Sequence, residues 1–402
     1  MSPNIPGTLL LDPEVLEDPY PFYARLRQEA PFWRIPGTRV FVASSYAVID
    51  EITARTDDFS NVVRTLLYRG DDGIPQQLHF GAGVEALASA DPPVHTLHRK
   101  AVFPELVAKK MAELAPDIER LAHGCLDTYL EAGGGDFMDA VANPVPINVI
   151  SWLIGFRDSD PDRLLQAAAD STMMVGGALA LEELTPLIER TLEIGAWIND
   201  QITAGEAPED VLLGTIAKAV AEQAITLEQG AIILQTLLSA GGESTTSLIG
   251  NAARILAEQL DLQDHIRQHP ELIPNFVEEV LRLESPFRMQ MRSVVKATSC
   301  NGIDVPAGST VMLFFSAANR DPAHYDDPDE IKLDRSSPRV HLAFGRGIHF
   351  CVGAHLARLE ANLVTTSLLA RTNSIRFDPE HQPVRIKSLL ARRHLTLPLA
   401  IS

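Results

Sequence analysis

Three cysteines occur in the 402-residue chain, Cys125, Cys300 and Cys351, and the last is placed where a cysteine needs explaining. The stretch "FGRGIHFCVG", from Phe344 to Gly353, sets Cys351 among three glycines, two residues after His349, and directly before "AHLARLEANL", which reads as a helix. A dinucleotide loop needs G-x-G-x-x-G; Gly345 and Gly347 fit, but Phe350 stands in the third glycine's place. A catalytic nucleophile needs a base, and His349 is the neighbour in sequence. A lone structural thiol is the ordinary alternative. The surroundings favour a thiolate metal ligand. The free N–H groups and dipole of the following helix are expected to lower the thiol pKa. The glycines let backbone amides approach the sulfur. One thiolate completes neither a zinc site nor an iron–sulfur cluster, but it suffices as the axial ligand of a haem iron.

A second chemically unusual stretch is "AGGESTTS", Ala240 to Ser247. It interrupts an apolar helical pattern that opens with a capping box, Thr226-x-x-Gln229, and continues through Ile232, Ile233, Leu237, Ile249, Ile255 and Leu256 to about Leu260. At ~1.5 Å per residue this helix spans roughly 50 Å. Two adjacent glycines inside a helix cost up to ~1 kcal/mol each relative to alanine. One reading is a kink with polar residues on a solvated face. The other is a buried central helix whose acid is put to use, because a buried acid is costly unless partnered.

The elements that must position these stretches are mostly helical. Helical patterns dominate from about Val94 to Leu283 and over 352–372. The β-rich portions lie near 35–60, 290–315 and 375–402, and "TRVFVASSYAVIDEI" reads as a short strand followed by a helix. The proline-rich opening reads as irregular, and Asn61 to Asp91 as one long loop, a length that in a compact protein tends to be functional. Without repeats or a low-complexity linker, the expectation is a single, mainly α domain over 1–402. The chain is 46% hydrophobic, and 34 basic against 53 acidic residues give a net charge of −19, which argues against nucleic acid as a partner. The odd, widely spaced cysteines argue against disulfides and zinc sites and fit a reducing compartment. With no signal-peptide start and no run of ~18 apolar residues, a cytoplasmic protein without an integral membrane segment is expected.

"FGRGIHFCVG" resembles the haem-binding loop of the cytochrome P-450 family, F-x-x-G-x-x-x-C-x-G, at Phe344, Gly347, Cys351 and Gly353. The resemblance extends in order over most of the chain. "DPPVHTLHR" is similar to the family's third-helix motif, which implies that His95 and Arg99 hold haem propionates. Arg292, in "MQMRSV", and His349 match further propionate partners. "EEVLR" followed by "AANRDPAHYDDPDEIKLDR" resembles the family's buried ion-pair network and implies a structural trio of Glu279, Arg282 and Arg335. "AGGEST" is similar to the oxygen-binding motif A-G-x-[D/E]-T-[T/S] at Ala240, Gly241 and Glu243, with Ser244 in place of the usual threonine and Thr245 next.

The resemblance implies the triangular, helix-rich cytochrome P-450 fold with small β-sheets, and haem between the long central helix and the Cys351 loop. It implies haem b and O2 as cofactors and insertion of one oxygen atom into a hydrophobic small molecule. Glu243 and Ser244, or Thr245, would deliver protons, and the glycine pair would open a gap for dioxygen. Gly345 and Gly353 belong to the cofactor loop with Phe344. Electrons would come from NAD(P)H through a ferredoxin and its reductase, since the chain carries no flavin or iron–sulfur motif of its own. Arg99, Lys100, Lys109, Lys110, Arg346 and Arg358 form a candidate basic docking patch. Leu237, Ala240, Met289, Met291, Leu389, Leu390 and the 61–91 loop are candidate pocket walls. The alternatives are a peroxide-driven or isomerase-type haem-thiolate enzyme and a non-enzymatic haem-based ligand sensor or carrier.

Overall fold

The computed structural model describes residues 5–79, 83–106, 108–205, 207–208 and 210–402; the side chains of 103, 105, 108 and 109 lie outside that description. The centre is the helix Leu227–Glu258, which runs without a break. Its start is the capping box read from the sequence. Thr226 Oγ1 accepts from the Gln229 amide at 3.1 Å, and Gln229 Oε1 accepts from the Thr226 amide at 3.0 Å. Around it pack Pro144–Ile154, Pro161–Val175, Leu181–Thr203 and Ala354–Arg371. The glycine pair does not interrupt this helix. A Cβ at Gly241 would stand 3.0 Å from Ile150 Cδ1, and one at Gly242 3.1 Å from Ile147 Cδ1. The glycines let the helix Pro144–Ile154 approach closely, which is their structural reason.

The largest sheet has five strands in the order Phe32–Arg34, Val40–Ala43, Thr310–Leu313, Gln290–Val294, Phe59–Ser60. Val40–Ala43 and Thr310–Leu313 run parallel, the other neighbours antiparallel, and Arg292 stands opposite Val311. Two expectations are corrected. The proline-rich opening forms a 3₁₀ turn, Gly7–Leu11, and helices Pro13–Glu17 and Tyr20–Glu29. There proline sits in the first turn, where no N–H is needed, and Asp12 caps the Glu14 amide at 2.9 Å. The 61–91 loop contains a hairpin, Thr65–Arg69 paired with Pro75–His79. Its turn uses Asp72, whose carboxylate accepts from the Ile74 amide, and Gly73 at φ 73°. The Arg69 amide ties the hairpin to Leu179 O at 2.7 Å, and the Leu389 amide ties the C-terminal region to Gly176 O at 3.0 Å. Among the described residues, no helix is long and apolar enough to cross a membrane.

Candidate active site

Cys351 is the exposed cysteine of the three, and the surface it faces is a cavity of about 240 Å³ that it lines. Gly345 and Gly347, at φ 68° and 73°, turn the loop through left-handed backbone that other residues resist. The loop then folds back so that the Cys351 amide donates to Phe344 O at 2.9 Å. Gly353 precedes the helix Ala354–Arg371, and its N–H serves the sulfur. Burial nevertheless pushes the thiol pKa up, against the opposing pull of the Gly353 amide, Arg99 and Arg358. This corrects the lowered value expected from the helix terminus: desolvation of the thiolate outweighs one amide and two neighbouring cations.

The wall beside the sulfur is a crowd of cations and imidazoles. His95 and Arg99 come from the helix Val94–Val102, Arg292 from the large sheet, and His349 from the cysteine loop; all four line the cavity. The His95 and His349 rings lie 4.1 Å apart. Arg99 Nη1 donates to Phe350 O at 2.9 Å, and Arg292 Nη1 to Met291 O at 2.8 Å. Burial lowers Arg292 to about 10, against the pull of Asp91. Asp91 itself accepts from the Ser60 hydroxyl and, at 3.0 Å, from the Asn61 amide. Burial first, then His95, Arg292 and Arg99, hold His349 down at about 3, and its buried Nε2 has no partner. A corner like this suits a ligand that brings its own carboxylates. Together with a single thiol and an otherwise apolar chamber, it fits a haem: sulfur for the iron, donors for the propionates, apolar walls for the macrocycle.

The central helix forms the opposite wall with Thr236, Leu237, Ala240, Gly241, Ser244, Thr245 and Leu248. At about 100° per residue these fall in one arc, with Ser244 near its middle, Thr236 and Thr245 at its edges, and Glu243 outside it. Ser244 Oγ donates to Ala240 O at 2.5 Å. Glu243 is fully buried, and its Oε2 accepts from Arg393 Nη1 at 2.7 Å, while Arg393 Nη2 donates to Asn143 Oδ1 at 2.9 Å. The structure therefore brings Ser244 and Thr245 to the cavity and turns the Glu243 carboxylate toward the C-terminal region. Arg393 and Asn143 carried no sequence signal, because 150 residues separate Arg393 from Glu243.

Of the proposed pocket walls, Leu237, Ala240, Asn61, Leu87 and Ala88 line the cavity. Met289, Leu389 and Leu390 instead belong to a hydrophobic cluster with Trp33, Leu67 and Phe314, and Met291 packs against it. The reason is strand alternation: Gln290 and Arg292 face the cavity, so Met291 faces away. Ile150, Phe287 and Phe315, ordinary core types in pattern, and the polar Gln290 line the cavity and were not anticipated.

The expected structural trio is present. Arg282 grips Glu279 with Nε–Oε1 at 2.8 Å and Nη2–Oε2 at 2.9 Å, and Arg335 Nε reaches Glu279 Oε1 at 3.0 Å. The basic patch is reduced by internal pairing. Arg346 pairs with Asp50 at 3.0 Å, and Arg358 with the buried Glu278 at 2.6 Å. The Arg358 guanidinium stands 4.4 Å over the Phe344 ring. The side chain of Lys109 lies outside the described residues.

The family model described as Cytochrome P450 matches residues 209–397. Cytochrome P450 144 of Mycobacterium tuberculosis is 36% identical over 392 residues, covering 96% of this chain and 90% of that protein. The beta-dihydromenaquinone-9 omega-hydroxylase of the same organism is 30% identical over 367 residues, covering 90% of this chain and 72% of that protein. CYP109E1 of Bacillus megaterium, solved in complex with testosterone, superposes with a TM-score of 0.87 at 27% identity, covering 96% of this chain and 98% of that one. The thiol loop, the cationic corner, the long central helix and these likenesses agree: the chain belongs to the cytochrome P450 family of haem-binding monooxygenases and is an oxidoreductase.

Proposed function

We propose that the chain hydroxylates an apolar small molecule, with haem b held through Cys351 and electrons arriving from NAD(P)H by way of a ferredoxin reductase and a ferredoxin. One observation carries this reading: an exposed thiol and a carboxylate-seeking corner share one apolar cavity. When bound, the haem supplies dioxygen activation, the chemistry that side chains alone lack. His95, Arg99, Arg292 and His349 then hold its propionates, and for His95, Arg292 and His349 the burial that disfavours their charge is relieved by the anions. The Gly353 amide and the Phe344 backbone orient the sulfur. Apolar residues such as Leu248 and Phe287 keep bulk water from the reacting carbon. Ser244 Oγ, whose hydroxyl donates to Ala240 O, stands at the middle of the central-helix wall; on turning from that carbonyl it would give its proton into the cavity and take one back from water. Glu243 feeds that hydroxyl when its pair with Arg393 opens. The test is spectroscopic. Reduced, carbon-monoxide-treated protein should show the long-wavelength Soret band of thiolate ligation, and Cys351→His should move it to the position of histidine-ligated haem. A band unmoved by that substitution refutes the assignment.

A further inference from the structure

The charges in the cavity are distributed unevenly. Its ionisable lining residues are His95, Arg99, Arg292, Arg346, His349 and Cys351, all in the cysteine loop or the cationic corner. Arg346 already pairs with Asp50. Across from them, the described wall offers hydrocarbon and uncharged polar groups only. Among those, Thr236 and Thr245 differ from the serines of the same helix. Ser244 and Ser247 turn their hydroxyls back onto the carbonyls of Ala240 and Glu243, at 2.5 and 2.9 Å. Thr236 and Thr245 make no such bond, but Thr245 is buried directly beside Ser244, whereas Thr236 is half-buried two turns away at the cavity edge. Helix geometry fixes its distance: eight residues before Ser244 is about 12 Å along the axis.

Resting on the haem reading above, we infer that this cavity selects an uncharged, elongated apolar substrate that carries one hydroxyl or carbonyl group about 12 Å from the carbon presented to Ser244, and that Thr236 holds that group. The corner's cations are satisfied by the propionates, so a substrate carboxylate entering the far end loses its water and gains no partner. A hydroxyl or carbonyl loses less and recovers a hydrogen bond from Thr236 Oγ1. A pure hydrocarbon fits but leaves the threonine unused.

The probes are dodecane, dodecanol and dodecanoate, titrated by calorimetry into the haem-loaded protein at pH 7.5, with the absorption spectrum of each sample recorded. The expected order of affinity is alcohol, then alkane, then carboxylate. Thr236→Val should weaken the alcohol about three- to tenfold and leave the alkane unchanged, and Thr236→Ser should restore the alcohol. Oxidation of the bound alcohol should fall at the end remote from its oxygen. The inference is overturned if dodecanoate binds as tightly as dodecanol, if the alcohol's advantage survives Thr236→Val, or if none of the three binds. Failure of the haem reading is separate: the thiolate band would be missing from the spectra, while the heats of binding still report the order.

Discussion

Removing the Arg393 guanidinium tests whether the acid of the central helix is held by a buried pair. Glu243 and Arg393 are 0% and 6% exposed, and their contact is 2.7 Å. Arg393→Met leaves Glu243 Oε2 without its cation in a dry site where Oε1 already lacks a partner. Breaking a buried pair from one side costs ~3–5 kcal/mol. For 402 residues the unfolding entropy is ~0.8 kcal/mol/K, so the melting temperature should fall by ~4–6 °C. Arg393→Met combined with Glu243→Leu should recover most of that loss, because two matched apolar groups replace a buried pair at little cost. Scanning calorimetry of the haem-loaded protein measures all three. A fall below ~1 °C for Arg393→Met, or a double variant that loses at least as much as the single one, refutes the account of Glu243 as a partnered buried charge.

Ser244→Ala should cut product formation, within the ~10²–10⁴-fold typical of general acid–base groups, while NAD(P)H consumption continues and peroxide accumulates. Thr245→Ala, at the arc's edge, should uncouple far less, and Ser244→Thr should keep coupling near the parent; equal uncoupling by both alanine variants would contradict the wheel. Glu360 is buried, its Oε2 unpartnered, and burial raises its pKa well above the usual carboxylate range. The unfolded acid therefore ionises first, and stability falls as pH rises above ~4.3, by up to ~1.4 kcal/mol per unit until the folded acid ionises. Glu360→Gln should accordingly raise the melting temperature at pH 7 and lose its advantage near pH 4. His394, buried with neither ring nitrogen partnered, is held down at about 2, chiefly by burial and then by Arg385 and Arg254. The unfolded imidazole takes up its proton first, so the wild type should lose stability below pH ~6.5 relative to His394→Phe. Because Arg346 and Arg358 are paired within the chain, association with an acidic ferredoxin should slow only shallowly as salt is added in stopped flow. A steep decline would show that these charges still steer.

The site was legible where chemistry forces local sequence. A thiol that must stand free at a helix start needs glycines on one side and a helix pattern on the other, and "FGRGIHFCVG" displays both. The capping box at Thr226 and Gln229 marked the start of the central helix to within a residue, since cap and first turn are neighbours in sequence, whereas Leu260, expected near its end, opens the next helix. The trio Glu279, Arg282 and Arg335 was visible only through the family resemblance, because two charges three residues apart on one helix face are common on surfaces. What stayed hidden depends on distance or on the pleat. Nothing near Glu243 announces Arg393 or Asn143. Met289 and Met291 looked like pocket residues because a five-residue strand gives too little alternation to show which side is which. The hairpin at 65–79 has only one side chain, Leu67, fully buried along its first strand, so its apolar signal is thin.

The contact of Gly241 and Gly242 with Ile150 and Ile147 limits how this protein can change its substrate. A side chain added at either glycine meets the neighbouring helix at about 3 Å, and at Gly241 that contact, Ile150, itself lines the cavity. The central helix is thus clamped against the helix Pro144–Ile154 at the stretch that includes the cavity-lining Gly241. Altering chamber size there would require moving two helices at once, which disturbs Ser244 as well. Divergence in specificity is therefore channelled to walls that can be exchanged singly: the segment around Leu87 and Ala88, Phe287, and the approach at Thr236. The rigid half preserves the reaction, and the replaceable half carries the choice of molecule.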